Sequence, residues 1–307
     1  MPVRIGLEIH LRLATETKLF CRCRIPEDSD VPPNTRVCPY CLGYPGAMPA
    51  LNGSAVEKAI RLALTLGARI SRLSEFARKN YFYPDLPKGF QITQHNSRLA
   101  TGGAINIGDK SIPLIGMHLE EDAGKSIHVK GKNSTLLDFN RCGAPLLELV
   151  TTPEIESPAQ AGEVARSVRD LALYLGVSRG RMQEGELRAD ANISLAGGDT
   201  ETARSEIKNL NSFRNIRLAL ECEISRHVKA LESGDTLELQ TRRFDESTGE
   251  TRPLRSKEEI RDYRYIPEPD LPPLALDEEY IAGIARELPE LPESRLKRLS
   301  EEYGLSP

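Results

Sequence analysis

The sequence predicts an α+β fold, a sheet with one polar face flanked by amphipathic helices, and three observations carry the prediction. Residues 3–13 alternate strictly, with apolar side chains at every odd position and Arg4, Gly6, Glu8, His10 and Arg12 between them, which is the period of a strand with one buried and one open face. The same alternation returns at 186–195, where Glu186, Arg188, Asp190, Asn192 and Ser194 share a face, and again at 204–209 with Arg204, Glu206 and Lys208. Between the strands lie segments with helical periodicity and recognisable start and stop signals.

In chain order, the opening strand is followed by two close thiol pairs, Cys21 with Cys23 and Cys38 with Cys41, separated by fourteen residues that include Pro26, Pro32, Pro33 and Asn34. That loop is too turn-rich for a helix and reads as a knuckle. Ser54 and Glu57 form a capping box that opens a helix to about Leu66, stopped by Gly67. Residues 78–88 form a loop in which Tyr81, Phe82 and Tyr83 lie among Arg78, Lys79, Asp85 and Lys88. Interleaved cations and aromatics of this kind can bind phosphates or stack on bases, or simply cover a core edge. Gly102, Gly103 and Gly108 mark turns between short strands, and an apolar run from Ile112 to Met117 leads into three consecutive acids, Glu120, Glu121 and Asp122.

Ser157, Pro158 and Gln160 start a second helix that ends at Gly176. Gly197 and Gly198 turn the chain after the second polar-faced strand, and Asn211 or Ser212 caps a third helix with apolar positions from 213 to 231. Residues 238–249 read as a strand and a turn before a return strand. The proline-rich stretch 262–273 is extended and closes a domain; a helix from Asp277 to about Leu288 and a last basic helix follow.

A net charge of −4 argues against a general nucleic-acid binder but leaves room for a local basic patch. No apolar run approaches the ~20 residues of a membrane span, and Met1–Gly6 lacks the core of a secretion signal, so the expected location is cytoplasmic. Six cysteines are too few for a disulfide scaffold.

Two chemistries emerge. Four thiolates from Cys21, Cys23, Cys38 and Cys41 suit a tetrahedral zinc with a closed shell, hence a structural one, the alternative being reduced thiols or a redox pair. An open sheet face carrying Glu8, His10, Glu184, Glu186, Asp190, Asn192, Glu206 and Lys208 suits Mg2+ or Mn2+ holding nucleotide phosphates. Glu8 and His10 would stand about 7 Å apart on one strand face. Alternation puts His118 and Glu120 on one face and Glu121 on the other, although a bulge could reverse this. Gly124-Lys125-Ser126 lacks the leading glycine of a phosphate loop, and no Ser or Cys sits in a nucleophile elbow, so metal-assisted phosphoryl transfer is the expected chemistry.

The stretches IGLEIHLRL (5–13), CPYCLGYPGAMP (38–49), RKNYFYPDLPKGFQIT (78–93), HLEEDAGKS (118–126), LRADANISL (187–195), EIKNLNSFR (206–214) and DYRYIPEPDLPP (262–273) resemble, in order, the B-type subunit of the aspartyl/glutamyl-tRNA(Asn/Gln) amidotransferases. The resemblance implies a glutamine-synthetase-like antiparallel-sheet cradle over residues 1–275, with the four-cysteine zinc knuckle at about 20–42. It implies that 276–307 begin a C-terminal helical domain that is cut short relative to the family. It implies an ATP-dependent ligase that phosphorylates the side-chain carboxyl of Glu on tRNA(Gln), or Asp on tRNA(Asn), and amidates it. The ammonia would come from an amidase (glutaminase) partner, in a heterotrimer completed by a small third subunit. By the same resemblance Glu8, His10 and Glu121 are Mg2+ ligands. Glu120, Asp190, Glu206 and Lys208 act with them in catalysis, and Glu184, Arg188, Asn192 and Lys125 contact the nucleotide. Lys79 faces the tRNA acceptor end or the ammonia path. Two rival readings of the residues are a glutamine-synthetase-type ligase on a free carboxylate and a non-catalytic, zinc-stabilised scaffold.

Overall fold

The computed structural model describes residues 2–26, 31–129, 131–197, 200–255 and 263–304. Alternation becomes architecture at once. Strand β1 (Val3–Arg12) buries Ile5, Leu7, Ile9 and Leu11 completely on one face, and it runs through the middle of the sheet. On either side of it lie β11 (Pro145–Thr151) and β12 (Leu187–Gly197), both antiparallel to it.

The remaining strands extend the sheet in both directions. On one side β8 (Lys110–Glu121) pairs with β11, followed by β5 (Phe90–Thr93), β4 (Ala77–Asn80) and β17 (Ile266–Pro267). On the other side come β14 (Ser205–Leu210), β15 (Gln240–Asp245) and β16 (Glu250–Arg255). With β2 (Arg69–Ile70), β6 (Ala100–Thr101), β7 (Ala104–Ile107) and β13 (Thr200–Glu201) branching off, the sheet has fourteen strands among the described residues. Two small two-stranded sheets, β9 (Lys125–His128) with β10 (Thr135–Asp138) and β3 (Leu73–Ser74) with β18 (Leu274–Ala275), lie apart from it.

One pair departs from the expected antiparallel sheet. β14 and β15 run parallel, because the long helix α3 (Phe213–Ser233) carries the chain back across the buried face before β15 begins. A parallel neighbour needs such a crossover, and α3 supplies it.

Helices α1 (Gly53–Thr65), α2 (Pro158–Tyr174) and α3 cover the apolar face. Their small buried residues, among them Ala59 and Ala63 of α1, Ala161 and Ala165 of α2 and Ala219 of α3, let the helices approach the sheet closely. Helix α1 is capped by Asn52, whose side chain accepts from the backbone of Ser54 and Ala55, and not by the expected Ser54 box. Ser157 and Ser212 cap α2 and α3 as expected. Gly103 adopts a positive φ where a Cβ would meet the Leu66 carbonyl oxygen at 2.6 Å, so the turn before β7 admits only glycine. The loop expected from Arg78 starts later, since residues 77–80 are strand β4. Helix α4 (Glu278–Arg286) is capped by Asp277 and packs on α1 through Ile284, and α5 (Pro292–Tyr303) follows it. Gly198 of the expected glycine turn and Asp262 of the extended segment lie outside the described residues. Among the described residues, no helix is long and apolar enough to cross a membrane.

Candidate functional site

Cross-strand pairing writes the polar face as rows. Arg188, His10, Glu148 and His118 stand side by side on β12, β1, β11 and β8, and Asp190 stands opposite Glu8 in the next row. Glu206 on β14 stands opposite Asn192 in the row after that. A strand's side chains repeat every second residue, so Glu120 joins these residues on the open face, while beyond the register shifts the parity reverses and Ile112, Leu114 and Leu210 turn into the core. Lys79, Gln91 and Thr93 of β4 and β5 join them, because Thr93 pairs with Glu120 and Lys79 with Gln91. Except for Asn192 and Glu206, they line a cavity of about 440 Å³.

Two triads gather on this face. His10, Glu120 and Glu148 bring one ligand atom each within 4.8 Å of one another, and so do Glu8, Asp190 and Glu206. The His10 imidazole lies 3.4 Å from Glu148 and 3.7 Å from Glu120, and His118 lies 3.2 Å from Glu148. Burial works against protonating His10, but the hydrogen bond and charge of Glu148 outweigh it and raise its pKa. Burial likewise opposes ionisation of Glu148, yet its two histidine partners hold it well below the usual carboxylate range. Glu8 has the opposite balance: burial and repulsion from Glu148 raise its pKa, with Lys208 only partly offsetting them. A buried carboxylate in that state is stabilised by a cation, which is the condition a metal triad sets.

Asp190 is held ionised against its burial by Lys208, 2.8 Å away, and by the Asn209 amide at 2.8 Å. A bulge between β12 and β14 and a positive φ at Asn209 turn that amide onto the carboxylate. Lys208 also reaches Glu206 at 2.5 Å, and both acids push its pKa up despite burial. Asn192 donates to Glu8 at 3.0 Å. The other wall is aromatic and basic. Lys79 sits 4.7 Å from the Tyr263 ring centre and 5.8 Å from Tyr81, while His95 and Tyr265 stack in parallel at 3.6 Å.

Several expected residues fall elsewhere. Glu121 projects from the opposite face of β8, where it is buried against Lys88 at 2.6 Å and accepts from the Ile92 amide; the strand has no bulge there to bring it round, and Glu120 takes the position beside His10. Glu184 lies in a short 3-10 turn (Met182–Glu184) and Lys125 on β9, and both line a separate depression with Arg12, Arg141 and Arg181. Glu186 is gripped by Arg12 and Arg181, at 2.6 and 2.7 Å, which hold its carboxyl down at about 2 against the cost of burial. Arg188 does line the cavity, and it pairs with the buried Asp122. The sequence reading missed Glu148. Its signal is a single acid in the otherwise apolar run Pro145–Thr151, a placement that is costly without a partner.

Away from this face, the sulfurs of Cys21, Cys38 and Cys23 lie 3.4, 3.6 and 3.7 Å from that of Cys41. A tetrahedral metal with ~2.3 Å bonds to sulfur spaces its ligands about 3.8 Å apart, so the cluster fits a four-thiolate metal.

Fold and site define an α+β protein whose large sheet presents an acid-lined, histidine-bearing face. Residues 3–282 match the model of the GatB/GatE catalytic domain, and the chain belongs to that family. Among its relatives is the B-type subunit of the aspartyl/glutamyl-tRNA(Asn/Gln) amidotransferase from Anaeromyxobacter sp. strain Fw109-5, 49% identical over 310 residues that cover 99% of this chain and 64% of the relative. The corresponding protein of Thermotoga maritima is 49% identical, with 98% and 64% covered, and that of Chlorobium limicola is 48% identical, with 99% and 64% covered. The chain thus spans about 64% of the length of these curated relatives.

Proposed function

We propose that this chain is the catalytic part of a tRNA-dependent amidotransferase. In the proposed reaction the side-chain carboxylate of Glu on tRNA(Gln), or Asp on tRNA(Asn), attacks the γ-phosphorus of ATP to give an acyl phosphate and ADP. Ammonia then attacks the acyl carbon and expels inorganic phosphate, leaving the amide. Ammonia comes from an amidase (glutaminase) partner, in a complex that includes a small third subunit. The observation that carries this reading is the pairing, on one sheet face, of two acid triads with a cavity wall of cations and aromatic rings.

The two triads, His10/Glu120/Glu148 and Glu8/Asp190/Glu206, are the residues that would hold Mg2+ or Mn2+. When bound, the ions neutralise the phosphate charges of ATP and favour transfer of its terminal group. Around them this chain's own residues orient and exclude. His118 keeps Glu148 ionised and fixed, and Lys208 with Asn209 does the same for Asp190. Lys79, backed by Tyr81 and Tyr263, offers a positive charge at the rim for a phosphate of the acceptor end, and Arg188 offers another deeper in.

The open acid-faced sheet supports the reading of residues 1–275 as a glutamine-synthetase-like cradle, with residues 276–307 opening a helical domain. The four thiols support a structural zinc in the knuckle.

The test supplies nitrogen as ammonium chloride, which removes the need for the amidase. ATP-dependent conversion of Glu-tRNA(Gln) to Gln-tRNA(Gln), lost in Glu8→Ala, is the expected result. Conversion that needs no ATP, or that survives Glu8→Ala, refutes it.

A further inference from the structure

Lys18 is among the largest side chains that the fold buries completely, at 1% exposure. Its stem passes Gly143, where an added Cβ would stand 3.6 Å from the Lys18 Cδ. Its ammonium contacts the Cys41 sulfur at 3.3 Å and the Phe139 carbonyl oxygen at 3.1 Å. Among the described residues it forms no salt bridge to a carboxylate. Glu121, which also approaches Gly143, is already held by Lys88 at 2.6 Å.

A buried ammonium is costly unless an anion faces it. Without a metal Lys18 faces the sulfur of Cys41 alone among the four, whereas four thiolates around a divalent metal carry two net negative charges. We infer that Lys18 is the built-in counter-ion of the four-cysteine centre, halving its net charge and setting how tightly the knuckle holds its metal. The inference rests on the zinc reading of the knuckle. It adds that the fold is arranged for the charged, metal-loaded centre and is penalised without it. A lysine that merely packed would stabilise both states alike; a counter-ion stabilises the loaded state and burdens the empty one.

That difference in sign is measurable. Lys18→Met keeps the stem and removes the charge. Zinc affinity is read by competition with a chromophoric chelator, and thermal unfolding is followed on zinc-loaded and zinc-stripped protein. Loss of a partner to a metal ligand typically weakens binding by about 10- to 100-fold. The expected result is therefore a loss of tenfold or more in zinc affinity, with a zinc-stripped variant that melts no lower than the zinc-stripped parent. A smaller loss of affinity, a zinc-stripped variant that melts lower than its parent, or a variant that does not fold in saturating zinc each overturns it. A parent chain that takes up no zinc sinks the zinc reading itself, a result distinct from a parent and a variant that bind equally well.

Discussion

Replacing Glu121 by Gln separates the two acids that stand side by side at the end of β8. The Glu121 side chain is 3% exposed and the Lys88 side chain 6%, and the lysine nitrogen lies 2.7 and 2.6 Å from the two carboxylate oxygens. A glutamine can still accept from the Ile92 amide, as Glu121 does at 3.1 Å, but it brings no charge. Lys88 is then left with the Tyr40 hydroxyl at 2.8 Å and the face of its ring. Removing one partner of a buried ion pair costs about 3–5 kcal/mol, a large part of the stability of an ordinary domain. At roughly 2 °C per kcal/mol for a chain of this size, Tm should fall by about 6–10 °C. Mn2+ affinity, measured by electron paramagnetic resonance well below that transition, should stay within about twofold of the parent, since the change is on the other face of the sheet. Glu120→Gln should do the reverse: Tm holds, and loss of one charged contact weakens Mn2+ binding by about tenfold or more. A Glu121→Gln protein that melts like the parent while losing Mn2+ would put Glu121 among the ligands and refute the assignment.

Other outcomes follow from the same geometry. The Glu186 carboxyl is depressed to about 2, so its contribution is fully present above the ordinary glutamate value and is lost as pH falls toward 2. Glu186→Gln should therefore flatten the acid limb of the stability curve between about pH 4.5 and 2, by about 1–2 kcal/mol once screening at the part-exposed Arg181 is allowed for. Cys38→Ser should lower zinc content well below about one per chain and reduce Tm with it; unchanged zinc would remove Cys38 from the set. Lys79→Ala should weaken use of aminoacyl-tRNA while leaving Mn2+ binding intact, and an equal effect on both would place Lys79 at the metal instead.

Much of this was legible in the sequence, and what was hidden had specific causes. The period of two in β1, β12 and β14 identified the polar face and put Glu8, His10, Asp190, Asn192, Glu206 and Lys208 on it. Periodicity cannot say which strands are neighbours, however, so it could not pair His10 with Glu148 across β1 and β11. Glu148 was masked by the apolar residues around it, which mark β11 as central and so give its lone acid meaning only once its partners are known. The alternation of β8 did point to Glu120, and the resemblance pointed to Glu121; the regular pairing from Gly116 to Glu121 puts Glu120, not Glu121, on the face of His10. Glu186 obeys the same period yet reaches Arg12 and Arg181, because it precedes β12 at the edge of the rows. The aromatic wall is the least local feature. Tyr263 and Tyr265 come to Tyr81 and His95 only because β17 pairs with β4, far away in the chain.

If one sheet face carries two metal triads, its bound ions can be counted. A Mn2+ titration of the chain without nucleotide, followed by electron paramagnetic resonance, should find two bound ions per chain, one for each triad. Glu148→Gln should abolish one and Asp190→Asn the other, each leaving its neighbour in place. Binding that neither substitution changes, or no bound Mn2+ at all, contradicts the account.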